Sequence, residues 1–276
     1  MLDRHLLKSC VLAISCLSVS SLSFAAGSCE RLVATGNPNN PPFMWRDPQN
    51  PKQLMGAQAD MLKKVAKDLG VRLDVLYSRS WEKAEEEVRS GRIDLLSGVE
   101  LTPASLDDLD YIYPSVYSHD TVVWVRNILS FPYIEWADLR DRKGAKAADA
   151  LSPAFTDYAK ANLDIEQGAN LSQVFQKLML GEVDYVLAER ESSLARATTM
   201  GLQDDLLPLS PPIEGRPMYL ALSHNSACND AWLRGQLAKK MTEIAASELP
   251  ESLIQKNLQL WKQQQSEPAS APKVAQ

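Results

Sequence analysis

Gly91-Arg92-Ile93-Asp94-Leu95-Leu96-Ser97-Gly98 and Gly181-Glu182-Val183-Asp184-Tyr185-Val186-Leu187-Ala188, about ninety residues apart, carry the same signal. In each, a glycine stops an amphipathic helix and a short apolar strand follows. The helix before the first runs from Trp81 to Ser90 with a Glu85–Arg89 pair at i,i+4. The helix before the second carries Val174, Phe175, Leu178 and Met179 on one face. Upstream of Gly91, Leu32–Gly36 reads as a strand feeding the turn-rich loop Asn37-Pro38-Asn39-Asn40-Pro41-Pro42. A helix with Met61, Leu62, Val65 and Leu69 then stops at Gly70, and Val71, Leu73 and Val75 alternate as a half-buried strand. This β-α-β-α-β rhythm predicts a mostly parallel sheet with helices on its faces. It restarts at a strand over Thr121–Val125 and a helix over Pro153–Asn162 capped by Ser152. The period is too long for a solenoid, so the two signals mark matching elements of two α/β lobes. Helices near Asn229–Ser247 and Pro250–Trp261 have no sheet of their own and must pack on a lobe already built.

The ends of the chain set the expected compartment. Arg4, His5 and Lys8 precede an apolar run from Val11 to Phe24, and Ser23-Phe24-Ala25 offers small residues at the positions a leader peptidase reads. Residues 1–25 therefore read as a cleavable secretory signal, giving a periplasmic protein. A membrane anchor would need about 20 apolar residues, and this core is shorter and Ser-rich. Ala26-Gly27-Ser28-Cys29 loosely resembles a lipobox, so a lipoprotein at Cys29 is the alternative. Cys10 and Cys16 leave with the signal; the remaining pair, Cys29 and Cys228, is expected to be bridged in an oxidising compartment. A net charge of −6 without a basic stripe argues against nucleic acid and anionic lipid. No metal-ligand spacing or cofactor motif is present, and residues 263–276 read as a disordered tail of Gln, Ser, Pro and Ala.

Four segments in order resemble the bacterial extracellular solute-binding family 3, which serves polar amino-acid uptake. They are Asn39-Asn40-Pro41-Pro42-Phe43; Gly56-Ala57-Gln58-Ala59-Asp60; Gly91–Gly98 running on to Leu101-Thr102-Pro103; and Gly181–Tyr185. The resemblance implies a type II periplasmic-binding-protein fold. Lobe I would comprise 26–118 plus 217–262 and lobe II 119–216, joined by two crossing strands near Ser118 and Arg216–Tyr219. It further implies a monomer that closes on a small ligand and delivers it to the membrane component of an ABC-type importer.

The family's grip on an amino acid is altered here. Amino-acid binders carry an Arg two residues after the Thr-Pro pair, which forks onto the ligand carboxylate; this chain has Ser105. Two residues before Thr102, where Ser or Thr is usual, stands Glu100, and the second-lobe Asp that takes the ligand ammonium is Glu189. A lost cation and an added anion predict a small polar, cationic ligand. Phe43, Trp45, Trp81 and Tyr117 are expected on the cleft wall, where aromatic faces suit a cation. Gly98, Thr102 and Ser152 complete the implied ligand set. Asp94 and Asp184 sit at helix-to-strand corners and read as structural. His119 lies beside the hinge, where packing or pH sensing are both open. Two other readings remain. One is a ligand-free accessory or sensory module like those associated with quinoprotein dehydrogenases. The other is a periplasmic enzyme resembling cyclohexadienyl dehydratase, with Glu189 or Glu100 as general acid.

Overall fold

The structure, a computed structural model, describes residues 29–147 and 151–266. The expected signal segment and the last ten residues lie outside them. At Gly91 and Gly181 the chain turns with φ of 76°, a left-handed value that glycine reaches without strain. The aspartate three residues on does the same job at both places. The Asp94 carboxylate accepts from the Val33 amide (2.8 Å), while its own N–H donates to the Val33 carbonyl (2.9 Å). The Asp184 carboxylate likewise accepts from the Lys143 amide (2.8 Å), and its N–H donates to the Lys143 carbonyl (2.7 Å). Each corner thus ties the strand it starts to a parallel neighbour, so both aspartates are structural.

The described residues form twelve strands and seven α-helices. The first half contains β1 (Arg31–Gly36), β2 (Asn39–Asn40), β3 (Met44–Arg46), β4 (Leu54–Met55), α1 (Ala57–Leu69), β5 (Arg72–Val75), α2 (Trp81–Arg89) and β6 (Leu95–Glu100). β7 (Leu109–Arg126) leads into β8 (Lys143–Lys146), α3 (Pro153–Asn162), β9 (Asp164–Gln167), α4 (Leu171–Leu180), β10 (Tyr185–Glu189), α5 (Arg190–Met200) and β11 (Leu206–Pro208). β12 (Glu214–Ser223), α6 (Ala231–Ala245) and α7 (Leu249–Ser266) close the chain. A nine-stranded sheet runs in the order β5-β1-β6-β12-β7-β10-β8-β9, with β11 paired to β7, while β2-β3-β4 form a small sheet of their own. Pairing is parallel within β5-β1-β6 and within β10-β8-β9. β7 and β12 lie between them and run antiparallel to each other, from Glu214 opposite Thr121 to Ser223 opposite Leu109.

Successive strand residues face opposite sides, so each half buries two apolar layers. Leu95 points into the layer with Leu32, Leu62 and Leu237, and Leu96 into the one with Val88, Ile93 and Ala221. In the other half Val186 joins Trp124, Phe175 and Leu178, and Leu187 joins Val125, Phe155 and Tyr185. β7 contributes to both halves, which makes it far longer than the strand expected over Thr121–Val125. Part of the loop expected over 37–42 is also strand, because Asn39 and Asn40 pair with Trp45 and Met44.

The termini depart from expectation in one respect. Residues 263–266, expected to begin a disordered tail, form the last turn of α7. They are held there because Gln264 accepts a hydrogen bond from the Trp45 indole at 2.9 Å. One turn earlier, Trp261 meets Trp45 edge-on at 5.5 Å and donates to the Ala195 carbonyl on α5. Cys29 and Cys228 form a disulfide with Cα atoms 5.4 Å apart, tying the start of β1 to the approach of α6. A sulfur in that bridge cannot also carry a thioether-linked lipid. Among the described residues no helix is long and apolar enough to cross a membrane.

Candidate ligand-binding site

β6 ends at Glu100 and β10 at Glu189, and both open at their C-terminal ends onto one cleft, where open α/β sheets place ligands. The cleft holds about 420 Å³ and is lined by Asn37, Asn40, Gln58, Trp81, Glu85, Arg89, Gly98, Glu100, Thr102, Ser105, His119, Glu189, Arg216 and Met218, among others. Its centre is an ion-pair chain. Arg216 Nη1 lies 3.0 Å from Glu100 Oε1, and Nη2 lies 2.6 Å from Glu189 Oε1. Arg216 is carried by β12 directly opposite His119 on β7, where the two long strands pair. His119 Nδ1 lies 3.4 Å from Glu189 Oε1, and its Nε2 lies 3.1 Å from the Asn40 side-chain amide nitrogen. The Ser192 hydroxyl donates to the second Glu189 oxygen at 3.1 Å.

Burial alone would push the Glu189 carboxyl up. The hydrogen bond from His119 and the charges of His119 and Arg216 outweigh it and hold the group below its ordinary value. Two carboxylates therefore share one guanidinium. On α2, Trp81, Glu85 and Arg89 are spaced i, i+4, i+8 and present one face to the cleft. The expected Glu85–Arg89 pair is replaced, because Arg89 Nε reaches Asp108 at 3.3 Å. Glu86 and Glu87 turn to the surface and pair with Lys83 and Arg92. Gly98 has φ of 78° inside β6, and a Cβ there would sit 2.8 Å from both amide atoms of the buried Gln58 side chain.

Of the residues expected at the site, Trp81, Gly98, Glu100, Thr102, Ser105 and Glu189 share this cleft. Ser105 is occupied locally: its hydroxyl donates to the Thr102 carbonyl at 2.8 Å and receives a bond from the Tyr111 hydroxyl at 2.7 Å. Three aromatic residues are not on the wall. Phe43 and Tyr117 are core residues packed on each other at 5.5 Å, with the Phe43 ring 5.1 Å from His119, so they support the cleft from beneath. Trp45, on the middle strand of the small sheet, is buried against α7. Ser152 also lies outside the cleft lining; it caps α3 through Phe155 N, and its own amide donates to Glu214 at 2.8 Å. Arg216 was legible only as part of a crossing strand. Asn40 and Gln58 stood in family segments, yet no role could be read for them. Among the described residues, no group of three or more His, Cys, Asp or Glu is placed to hold a metal ion.

Comparison with known proteins places this geometry. Residues 32–257 match the family described as bacterial extracellular solute-binding proteins, family 3. No curated protein matches the chain by sequence. One similar structure is the second substrate-binding domain of a putative amino acid ABC transporter from Streptococcus pneumoniae. It is 20% identical, the match covers 82% of this chain and 99% of that one, and the TM-score is 0.66. Substrate-binding domain 2 of GlnP from Lactococcus lactis, in an open conformation, is 17% identical over 85% of this chain and 96% of that one, with a TM-score of 0.66. A histidine kinase sensor domain with similarity to periplasmic binding proteins is 19% identical over 83% of this chain and 96% of that one, with a TM-score of 0.56. These likenesses show the two-lobed type II periplasmic-binding-protein fold. With two parallel half-sheets, two crossing strands and a family match over most of its length, the chain belongs to the bacterial extracellular solute-binding proteins, family 3.

Proposed function

We propose that this protein is a periplasmic receptor that captures a small cationic solute between its lobes and delivers it to an ABC-type importer. The observation that carries the reading is the convergence of Glu100 and Glu189, from opposite sides of the cleft, on a single guanidinium. A site that already cradles one such cation has the charge and spacing for another. Trp81 offers an indole face nearby, worth about 0.5–2 kcal/mol to a cation. Ser105 stands where the family places its carboxylate-binding arginine and is tied up with Thr102 and Tyr111. The lobes would be 26–118 plus 217–262 and 119–216, turning about the β7–β12 pairing at Ser118 and Pro217. A family of binding proteins and a Glu189 held ionised at neutral pH both argue against a general-acid role.

A thermal-shift screen of the mature chain separates the readings, since binding to the folded state raises Tm. Alkylguanidinium, polyamine and quaternary ammonium solutes are expected to raise it, and simple dicarboxylates are not. Tight binding of an ordinary α-amino acid through its carboxylate would overturn the inverted polarity. The second reading, a ligand-free accessory module, is favoured by the internal pairing of the cleft charges. It predicts no shift with any solute.

A further inference from the structure

Arg216 reaches carboxylates that belong to different halves of the sheet. It uses a separate nitrogen for each, so its fork spans the cleft the way a bound solute would. The fit is incomplete: its Nε is buried and has no hydrogen-bond partner, which leaves one donor idle. The side chain is also 28% exposed, so it can leave. It stands on β12 at the crossing with β7, where any change in lobe angle would move Glu100 and Glu189 relative to one another.

We propose that Arg216 is an internal stand-in for the ligand's cation, which draws the unliganded cleft together between Glu100 and Glu189 and sets the affinity a solute must exceed to enter. This rests on the reading that those two carboxylates receive a cation. An occupant tethered to the protein competes with every free ligand, and apparent affinity falls by the fraction of molecules whose site is vacant. The latch therefore selects for solutes that bond both carboxylates at least as well as the guanidinium does. It disfavours compact cations such as a single ammonium.

Chemical rescue tests this without knowledge of the natural solute. In the full mature chain, R216A is expected to show a larger radius of gyration by small-angle scattering than the wild type. Guanidinium chloride at low millimolar, non-denaturing concentration should return it to the wild-type value. Calorimetry should show R216A binding guanidinium about tenfold tighter than the wild type, if the latch is open in roughly one molecule in ten. The double variant R216A/E189Q should lose the rescue. Should R216A not fold by circular dichroism, R216K keeps the charge without the fork and should still gain guanidinium affinity. An R216A protein that scatters like the wild type and takes up no guanidinium would overturn the proposal. Solute binding that is unchanged in R216A would also overturn it while leaving the receptor reading intact. Rescue in a protein for which no natural solute is found would support it independently.

Discussion

Ser105 and Arg216 line one cleft although they lie far apart in sequence. The position expected to hold a cation carries a hydroxyl, and the guanidinium arrives from a strand more than a hundred residues later. Local spacing cannot reveal this, because pairing between β7 and β12 alone decides that Arg216 faces Glu100 and Glu189. Glu191 is a second residue whose behaviour depends on tertiary placement. Burial pushes its carboxyl up to about 7, the nearby Asp120 charge adds to this, and one of its oxygens is buried without a partner. Between the ordinary glutamate value of 4.5 and about 7, the folded state then holds a proton that the unfolded chain has released. Stability is therefore expected to fall as pH rises through that window, by on the order of 3 kcal/mol. Denaturant melts of Glu191→Gln should show a flatter profile and a gain at pH 8; an unchanged slope would contradict the assignment. At Gly98 the positive φ and the crowding by Gln58 predict that Gly98→Ala costs about 1–3 kcal/mol and weakens solute binding by disturbing the cleft wall.

Among the elements, those marked by a helix stop or a cap were readable, and those made by distant pairing were not. α3 has the expected bounds, because Ser152 and Pro153 start it by local chemistry. The glycine-to-aspartate corners were readable for the same reason, since their residues are close in sequence. β7 was seen only over its most apolar stretch. Its first half alternates Tyr, Pro, Ser and Val, and it is extended because β12 pairs along it. α5 begins directly after Glu189 and has no strong apolar stripe to announce it. The aromatic residues misled for a related reason: Phe43 and Trp45 are near the cleft in sequence, and the small β2-β3-β4 sheet turns them into core. Cysteine pairing, by contrast, was set by count and compartment. The bridge closes a span of 199 residues. Replacing both cysteines with serine should cost about 2–5 kcal/mol, or roughly 5–15 °C in Tm. A Tm equal to that of the wild type under non-reducing conditions would show the bridge to be dispensable.

At the scale of the whole molecule, two parallel half-sheets are joined by two long antiparallel strands, with the polar cleft where β6 and β10 end beside that junction. α7 packs on α1 and α5, and the Trp45–Trp261 contact and the Trp261–Ala195 hydrogen bond link it to both halves. Lobe motion must therefore be small at this side or must slide these contacts. We propose that this cleft recognises positive charge through Glu100 and Glu189. Titration calorimetry of the mature protein with an alkylguanidinium and its neutral alkylurea isostere tests it most directly, because shape is kept and only charge changes. The guanidinium should bind at least about tenfold tighter, and Glu189→Gln should remove most of the difference. Equal affinity for the two, or preference for the urea, would contradict it.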